Sequence, residues 1–272
     1  MEKIKYRDIE RRSRNGLAER LRRGTMVAHI IHPIPLVIKG RPMSDSAWRA
    51  PEVLGPVSVI GCYIWFIEGP KEKILIDSGM TWEIYQKNGR TGHTHVQTLQ
   101  EGLGKYGLVP EDIDIIIQTH LHIDHRALAT MFTKARFIVQ QAELDYQKHP
   151  APAPVDPNLS ALDLLDKITI EPVNGDTYIT EGIRTIFTPG HTPGGQSVAI
   201  DTAKGLVVID GLCTTDSNWN VPAALHQKFE FFCPGVHTNL LQAYESLKRI
   251  KETAHQIIPI HEVRFTFIEE IP

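Results

Sequence analysis

The sequence predicts an α/β fold in which two β-sheets pack face to face and helices cover their outer sides. From Met26 onwards, short runs of β-branched and aromatic residues bounded by Gly and Pro are typical of strands. Helical periodicity occurs between these runs, and in each half of the chain a His or Asp follows directly after an apolar strand. A chain of 272 residues can bury one large core, and we expect a single domain over residues 26–272.

The predicted elements follow one another along the chain. Residues 56–67 and 73–77 flank a Gly-Pro turn and predict a β-hairpin. An apolar run at 113–118 predicts a buried strand that leads into a His-rich segment. Apolar residues at helical spacing predict helices over 96–106 and 238–253. Further strands are predicted at 137–139, 168–172, 183–187, 197–200, 206–209 and 256–260.

Two connecting stretches are predicted to be cap loops. Residues 149–158 contain four prolines, whose missing amide donors exclude an interior strand. Residues 212–236 form a long, aromatic-rich stretch that begins just after a candidate ligand, and long loops in compact domains often act as lids. We therefore expect the second stretch to cover the substrate.

The balance of charges limits the classes of partner. The chain has 29 basic and 32 acidic residues, so it lacks the basic excess that binding to phosphate backbones requires, and we expect no nucleic-acid partner. No stretch reaches the roughly 20 apolar residues that span a bilayer, and the N-terminus has no apolar signal core. We expect a cytoplasmic protein without membrane insertion.

The N-terminal segment and the cysteines carry less information. Residues 1–25 are charged throughout and predict a basic, weakly amphipathic helical extension. We favour a solvated helix. The alternative is an arm that docks onto a second subunit, which would form a homodimer, or onto an acidic surface.

Cys62, Cys213 and Cys233 form no C-x-x-C pair and fit a reducing compartment, in which we expect them to contribute to packing.

The residues capable of metal chemistry are concentrated in T-H-L-H-I-D-H, at positions 119–125. His120 and His122 are two residues apart after an apolar strand, so both imidazoles can project from one side of the chain. Asp124 and His125 follow, on what we expect to be the first turn of a helix. A catalytic zinc needs three protein ligands and a water, so four ligand-type side chains within six residues predict two metal ions.

Three further candidate ligands lie downstream, each beyond a predicted strand. His191 lies in T-P-G-H-T-P-G-G, whose Pro and Gly residues predict a stiff turn that fixes the imidazole. Asp210 ends the apolar run at 205–209, and His261 ends the run at 257–260. A single His at a strand end is usually structural, but these three residues repeat the order of strand and ligand seen in the cluster.

The T-H-x-H-x-D-H run resembles the signature of the metallo-β-lactamase superfamily, and L-I-D-S-G-M at 75–80 resembles its first motif. The resemblance covers about residues 56–261 and implies a four-layer αββα sandwich. Asp210 would bridge two zinc ions, and Asp77 would orient ligands without binding metal; iron, manganese or cobalt could replace zinc. The two ions would be held by His120, His122 and His191 and by Asp124, His125 and His261.

The G-H-T-P-G-G-Q-S segment and the chain length most resemble the N-acyl-homoserine lactonase branch. This resemblance implies a small-molecule lactone or ester as the substrate. Two metal ions would supply a hydroxide that attacks its carbonyl, with Asp124 or a metal-bound water as the proton relay. Those lactonases carry a tyrosine three residues after the bridging aspartate, where this chain has Cys213, and a small or apolar residue where it has Arg126. Cys213, Arg126 and Trp219 are the candidate substrate contacts.

Other activities on this fold remain as alternatives. A thioesterase of the glyoxalase II type shares the ligands, but it would be expected to carry basic residues in its C-terminal part for an anionic thiol carrier. An iron-dependent redox protein is disfavoured by seven intact hydrolase-type ligands. A metal-free binding protein is disfavoured further, because it would have no reason to retain every ligand.

Overall fold

A computed structural model describes residues 27–42, 57–69, 71–87, 93–148 and 162–272. In these residues, one sheet contains β1 (Ile30–Pro42), β2 (Val57–Glu68), β3 (Ile74–Ile76), β4 (His93–His95), β5 (Ile115–Ile117), β6 (Arg136–Gln140) and β7 (Thr169–Val173). The other contains β8 (Thr177–Thr180), β9 (Ile183–Phe187), β10 (Gln196–Thr202), β11 (Gly205–Ile209) and β12 (Gln256–Ile258). The strand orders are β4-β1-β2-β3-β5-β6-β7 and β12-β11-β10-β9-β8.

The described helices connect these strands. They are α1 (Trp82–Lys87), α2 (Leu99–Gly104), α3 (Ile123–Arg126), α4 (Gln141–Lys148), α5 (Leu162–Leu165), α6 (Asp216–Trp219) and α7 (Leu240–Thr253). Short 3-10 turns occur at Pro110–Asp112, Ala129–Met131, Ala223–Leu225 and Val263–Phe267. None of the helices in the described ranges has the length and apolar character needed to cross a membrane.

The alternation of side chains along the strands separates the core into layers. In β5, Ile115 and Ile117 pack between the sheets with apolar residues of β10, β11 and β12, whereas Ile116 packs on the outer face. Helix α7 covers the outer face of the second sheet with Leu247 and Ile250. Helices on both outer faces of two stacked sheets confirm the αββα sandwich.

The predicted strands are present, with ends that differ by at most two residues. The helix predicted over 96–106 is shorter, because Thr98 caps it and accepts a hydrogen bond from the Glu101 amide. Strands β1, β4 and β8 were not among the predicted strands. The stretch 212–236 is not an open loop, since it contains α6 and a 3-10 turn. The predicted extension at 1–25 and the loop at 149–158 lie outside the described residues.

The strand directions bring the candidate residues to one edge of the sandwich. Strands β3, β5 and β6 are parallel, so their carboxyl ends lie side by side. Asp77 follows β3, and the histidine cluster follows β5. Strands β11 and β12 are also parallel, so Asp210 and His261 follow neighbouring strand ends. Carboxyl ends of parallel strands commonly form ligand sites in α/β proteins.

Glu143 on α4 joins two segments of this edge. Its carboxylate is fully buried and accepts the Leu121 amide on Oε1 and the Gly194 amide on Oε2. Burial raises the pKa of Glu143, and hydrogen bonds to its carboxylate oppose that rise. Leu121 lies within the histidine cluster, and Gly194 lies in the turn that carries His191. A Cβ at Gly194 would lie 2.0 Å from the Glu143 nitrogen, so only glycine fits this contact.

We predict that Glu143→Ala lowers the free energy of unfolding by about 2–4 kcal/mol, because it leaves two buried amides without their acceptor. Chemical denaturation of the metal-free protein measures the change. Glu245→Ala, on the exposed side of α7, is the control and should change stability by less than about 0.5 kcal/mol. Equal stabilities of the two variants would contradict the role assigned to Glu143.

Candidate metal centre

The histidine cluster lies at the turn between β5 and α3. Helix α3 begins directly after His122, whose backbone is extended, so the chain passes from extended to helical structure at the second histidine of the T-H-L-H segment. His120 and His125 are buried, Asp124 is 8% exposed, and His122 is half-buried. The predicted helical turn at Asp124 and His125 is therefore present, and it directs the cluster into a largely enclosed space.

One set of donors consists of three imidazoles. His120, His122 and His191 each offer a nitrogen, and these atoms lie within 4.8 Å of one another. The Nε2 atoms of His120 and His191 are 3.1 Å apart. Two nitrogens bound to one tetrahedral zinc at about 2.0–2.1 Å would be about 3.3 Å apart. This set therefore has the dimensions of a single metal site.

A second set lies beside the first. Donor atoms of Cys62, Asp124 and His261 lie within 4.8 Å of one another, and all three residues are buried. His125 borders the set, with Nε2 3.8 Å from Asp124 Oδ1 and its ring centroid 5.0 Å from that of His261. The sequence assigned Cys62 to packing. Its proximity to Asp124 depends on strand pairing and has no local sequence signal.

Oxygen acceptors fix the orientation of three imidazoles. A carbonyl or carboxylate oxygen can only accept, so the adjacent Nδ1 carries a proton, and in a neutral ring the lone pair is left on Nε2. Metal-binding histidines are commonly oriented in this way. The acceptors are Val236 O for His191 (2.8 Å), Gly61 O for His261 (2.9 Å) and Asp77 Oδ2 for His125 (2.7 Å).

Asp77, for which the resemblance implies a role in orienting ligands, contacts His125 and the residues that precede His120. Besides His125, its carboxylate accepts the Thr119 amide at 2.7 Å and the Thr119 hydroxyl at 2.9 Å, and it contacts Gln118 Nε2 at 3.2 Å. Asp77 is the single non-glycine residue with positive φ in the described ranges, at 59°. This left-handed conformation is uncommon outside glycine and occurs where surrounding contacts compensate for it, as they do here.

The electrostatics of the imidazoles differ with their neighbours. Burial, followed by the charges of adjacent imidazoles, lowers the pKa of His120 well below its usual value, and burial together with His122 does the same for His191. Burial alone would lower the pKa of His125, but the carboxylates of Asp77 and Asp124 raise it overall. His120 and His191 are thus neutral near pH 7 and present donor nitrogens.

Asp210 is fully buried after β11. Its Oδ2 accepts the Thr214 hydroxyl at 2.5 Å and the Trp219 indole N–H at 3.1 Å. Burial raises the pKa of Asp210 to about 7, and these two hydrogen bonds oppose that rise. Both donors belong to the 212–236 stretch. The sequence placed Trp219 as a substrate contact, whereas the structure places its indole on a candidate ligand.

The other two candidate substrate contacts differ in their surroundings. Cys213 is half-buried, three residues after Asp210. Arg126 is 8% exposed, and its Nε donates to Leu121 O at 2.6 Å. Its guanidinium therefore contacts the backbone between His120 and His122.

Lys39 is a residue of the centre that the sequence did not reveal. It lies on β1 and is 1% exposed, and its Nζ is 2.7 Å from Asp124 Oδ2. The only sequence signal is a lysine that ends an apolar run, L-V-I-K, at 36–39. Which face of the sheet it occupies depends on the pairing of β1 with β2.

The two donor sets fit divalent metal ions. Imidazole, carboxylate and thiol groups are the donors zinc uses in proteins. His125 Nε2 and Asp210 Oδ1 are buried but have no hydrogen-bond partner among the described residues. Buried polar atoms of this kind require an explanation, and a bound cation would provide one.

Comparisons with known proteins agree with this architecture. The profile of the family described as Metallo-beta-lactamase superfamily matches residues 57–252. An N-acyl homoserine lactonase of Bacillus sp is 29% identical over 234 residues, which represent 81% of this chain and 88% of that protein. The matched region includes most of the described sandwich.

Two solved structures share the fold. An N-acyl homoserine lactone hydrolase, with the product N-hexanoyl-L-homoserine at its catalytic metal center, gives a TM-score of 0.68 at 22% identity, covering 90% of this chain and 100% of that chain. AidC, a dizinc quorum-quenching lactonase, gives a TM-score of 0.64 at 18% identity, with 87% and 89% covered. Because the family profile spans most of the sequence, the chain belongs to the metallo-beta-lactamase superfamily.

Proposed function

We propose that this chain is a metal-dependent hydrolase that opens lactone rings, with N-acyl homoserine lactones as its substrate class. The observation that carries the proposal is the pair of adjacent donor sets at the carboxyl ends of parallel strands. The similarity to N-acyl homoserine lactonases over 81% of the chain supports the choice of lactone.

The proposed ligands are those implied by the motif. His120, His122 and His191 would hold one ion, and Asp124, His125 and His261 the other, with Asp210 between them. When bound, two divalent ions would activate a water and polarise the substrate carbonyl. We propose zinc, and iron, manganese or cobalt would fit the same imidazole and carboxylate donors.

The protein would contribute orientation and proton transfer. Asp77 holds His125 in one tautomer through Nδ1. Thr214 and Trp219 hold Oδ2 of Asp210 and leave Oδ1 without a hydrogen-bond partner. Asp124, which is slightly exposed, would take up the proton and pass it to the leaving alkoxide oxygen. No side-chain nucleophile is required.

The 212–236 stretch would form one wall of the substrate site. It is tied to Asp210 through Thr214 and Trp219, and to His191 through Val236 O. Because its contacts are with candidate ligands, it would exclude water from the centre while holding those ligands in place. Cys213 would face the substrate where the lactonases carry their tyrosine.

The proposal extends to the cellular location. None of Cys62, Cys213 and Cys233 forms a disulfide, and this usage of cysteine supports a reducing compartment such as the cytoplasm.

We predict that the zinc-loaded protein hydrolyses N-hexanoyl homoserine lactone in preference to esters, thioesters and phosphoesters. Acid release recorded with a pH electrode measures all four classes in one format. In isotope-labelled water, the ring-opened product should carry one labelled oxygen in its new carboxylate. Cleavage of acyl thioesters without opening of any lactone would contradict the proposal and favour the glyoxalase II type of activity.

We predict that Asp210→Asn lowers the rate of lactone opening by about 100-fold or more and reduces the metal retained after dialysis, because an amide is a poorer ligand than a carboxylate. Elemental analysis and initial rates measure the two effects. Asp166→Asn, at an exposed position, is the matched control and should behave like wild type. Full activity in Asp210→Asn would exclude a bridging role.

We predict that Trp219→Phe weakens metal affinity by about 10-fold, because it removes the N–H that orients Asp210 and retains an aromatic ring. Thr214→Val, which removes the other donor, should act in the same direction. Chelator competition measures the affinity. Tyr178→Phe, which removes a hydroxyl from an aromatic ring that is 70% exposed, is the control. Unchanged affinity in both test variants would argue against orientation of Asp210 by this stretch.

A further inference from the structure

Lys39 places a positive charge inside the second donor set. Its side chain is 1% exposed, and Nζ lies 2.7 Å from Asp124 Oδ2. The same Nζ lies 5.3 Å from the ring centroid of Tyr85, a distance at which an aromatic face attracts a cation. Lysine is seldom fully buried unless it is paired. The carboxylate of Asp124 is that pair.

The ion pair engages a carboxylate that belongs to the second donor set. Oδ2 of Asp124 is also the atom that lies 4.0 Å from His261 Nε2, and Cys62 Sγ completes the set within 4.8 Å. A divalent ion held by Asp124 and His261 would thus lie close to the ammonium group. The ion pair is with Asp124 and not with the three imidazoles of the first set.

Two cations near one carboxylate compete for it. In a buried site, screening by water is weak, so the repulsion between an ammonium group and a divalent ion is much stronger than at the surface. The ammonium group is tethered to β1 and is present before any metal arrives. Binding a second ion would require Lys39 to release Asp124 or to share it at an electrostatic cost.

We propose that Lys39 is a resident cation of the second metal position and makes the two positions fill with unequal affinity. The inference rests on the proposed function, because it concerns the same metal centre. The first ion binds to His120, His122 and His191 without this competition. The second ion binds more weakly, and in the one-metal form Lys39 supplies the second positive charge.

Zinc titration of the metal-free protein against a chromophoric chelator tests the proposal, with elemental analysis to verify stoichiometry. In wild type we expect two steps, the second at least about tenfold weaker than the first. Lys39→Met removes the charge and keeps a long unbranched side chain, and it should tighten the second step by about tenfold without altering the first.

Matched variants separate charge from packing. Lys39→Arg keeps the positive charge, and its second step should stay weak. Lys73→Met removes a lysine from an exposed position and should leave both steps unchanged. Circular dichroism reports folding of each variant. If Lys39→Met does not fold, Lys39→Gln replaces it, and the two-step curve of the wild type still tests the proposal.

Two results would overturn the inference. The first is equal affinity for both ions in wild type, and the second is an unchanged or weaker second step in Lys39→Met. The titration contains no substrate, so it tests the inference about Lys39 even if the protein does not open lactones. A protein that binds zinc in two equal steps and opens lactones would refute the role of Lys39 and retain the proposed function.

Discussion

The geometry of the metal centre depends on oxygen acceptors that hold the far nitrogen of the inward-facing imidazoles. A neutral imidazole has one proton and one lone pair, so an acceptor at Nδ1 determines that Nε2 is the donor to metal. The acceptors come from separate parts of the fold: Gly61 on β2, Asp77 after β3 and Val236 beyond α6. Orientation of the ligands is therefore inseparable from the packing of both sheets.

Much of the fold and of the site could be predicted, because the signals are local. The cluster at 119–125 contains its own ligand spacing, and each distant candidate ligand lies within four residues of the end of an apolar strand. Lys39 could not be placed in this way. The pairing of β1 with β2 shifts between Pro35 and Val37, and Leu36 and Val37 then belong to the same outer core cluster. Lys39 lies two residues after Val37 and shares its face of the sheet. Counting alternate residues from Leu36 would place Lys39 on the opposite face.

The 212–236 stretch makes contacts in the structure that its sequence did not predict. Its aromatic composition and its position after Asp210 predicted a cap. The structure adds that Trp219 and Thr214 donate to one oxygen of Asp210, while the other oxygen is buried without a hydrogen-bond partner among the described residues. A change in this stretch would therefore alter the surroundings of Asp210. These contacts could not be predicted from sequence spacing alone.

The buried charges of the centre give a physical reason for unequal metal positions. Asp77, Asp124 and Asp210 are three acidic side chains in a space with little water, and buried charges are stable only when they are balanced. With all three ionised, one divalent ion and the Lys39 ammonium group neutralise them. A second divalent ion leaves an excess of two positive charges, which an anionic substrate, product or water-derived ligand would offset. Lactone opening generates a carboxylate, so the product of the proposed reaction is itself an anion that would favour the fully loaded state.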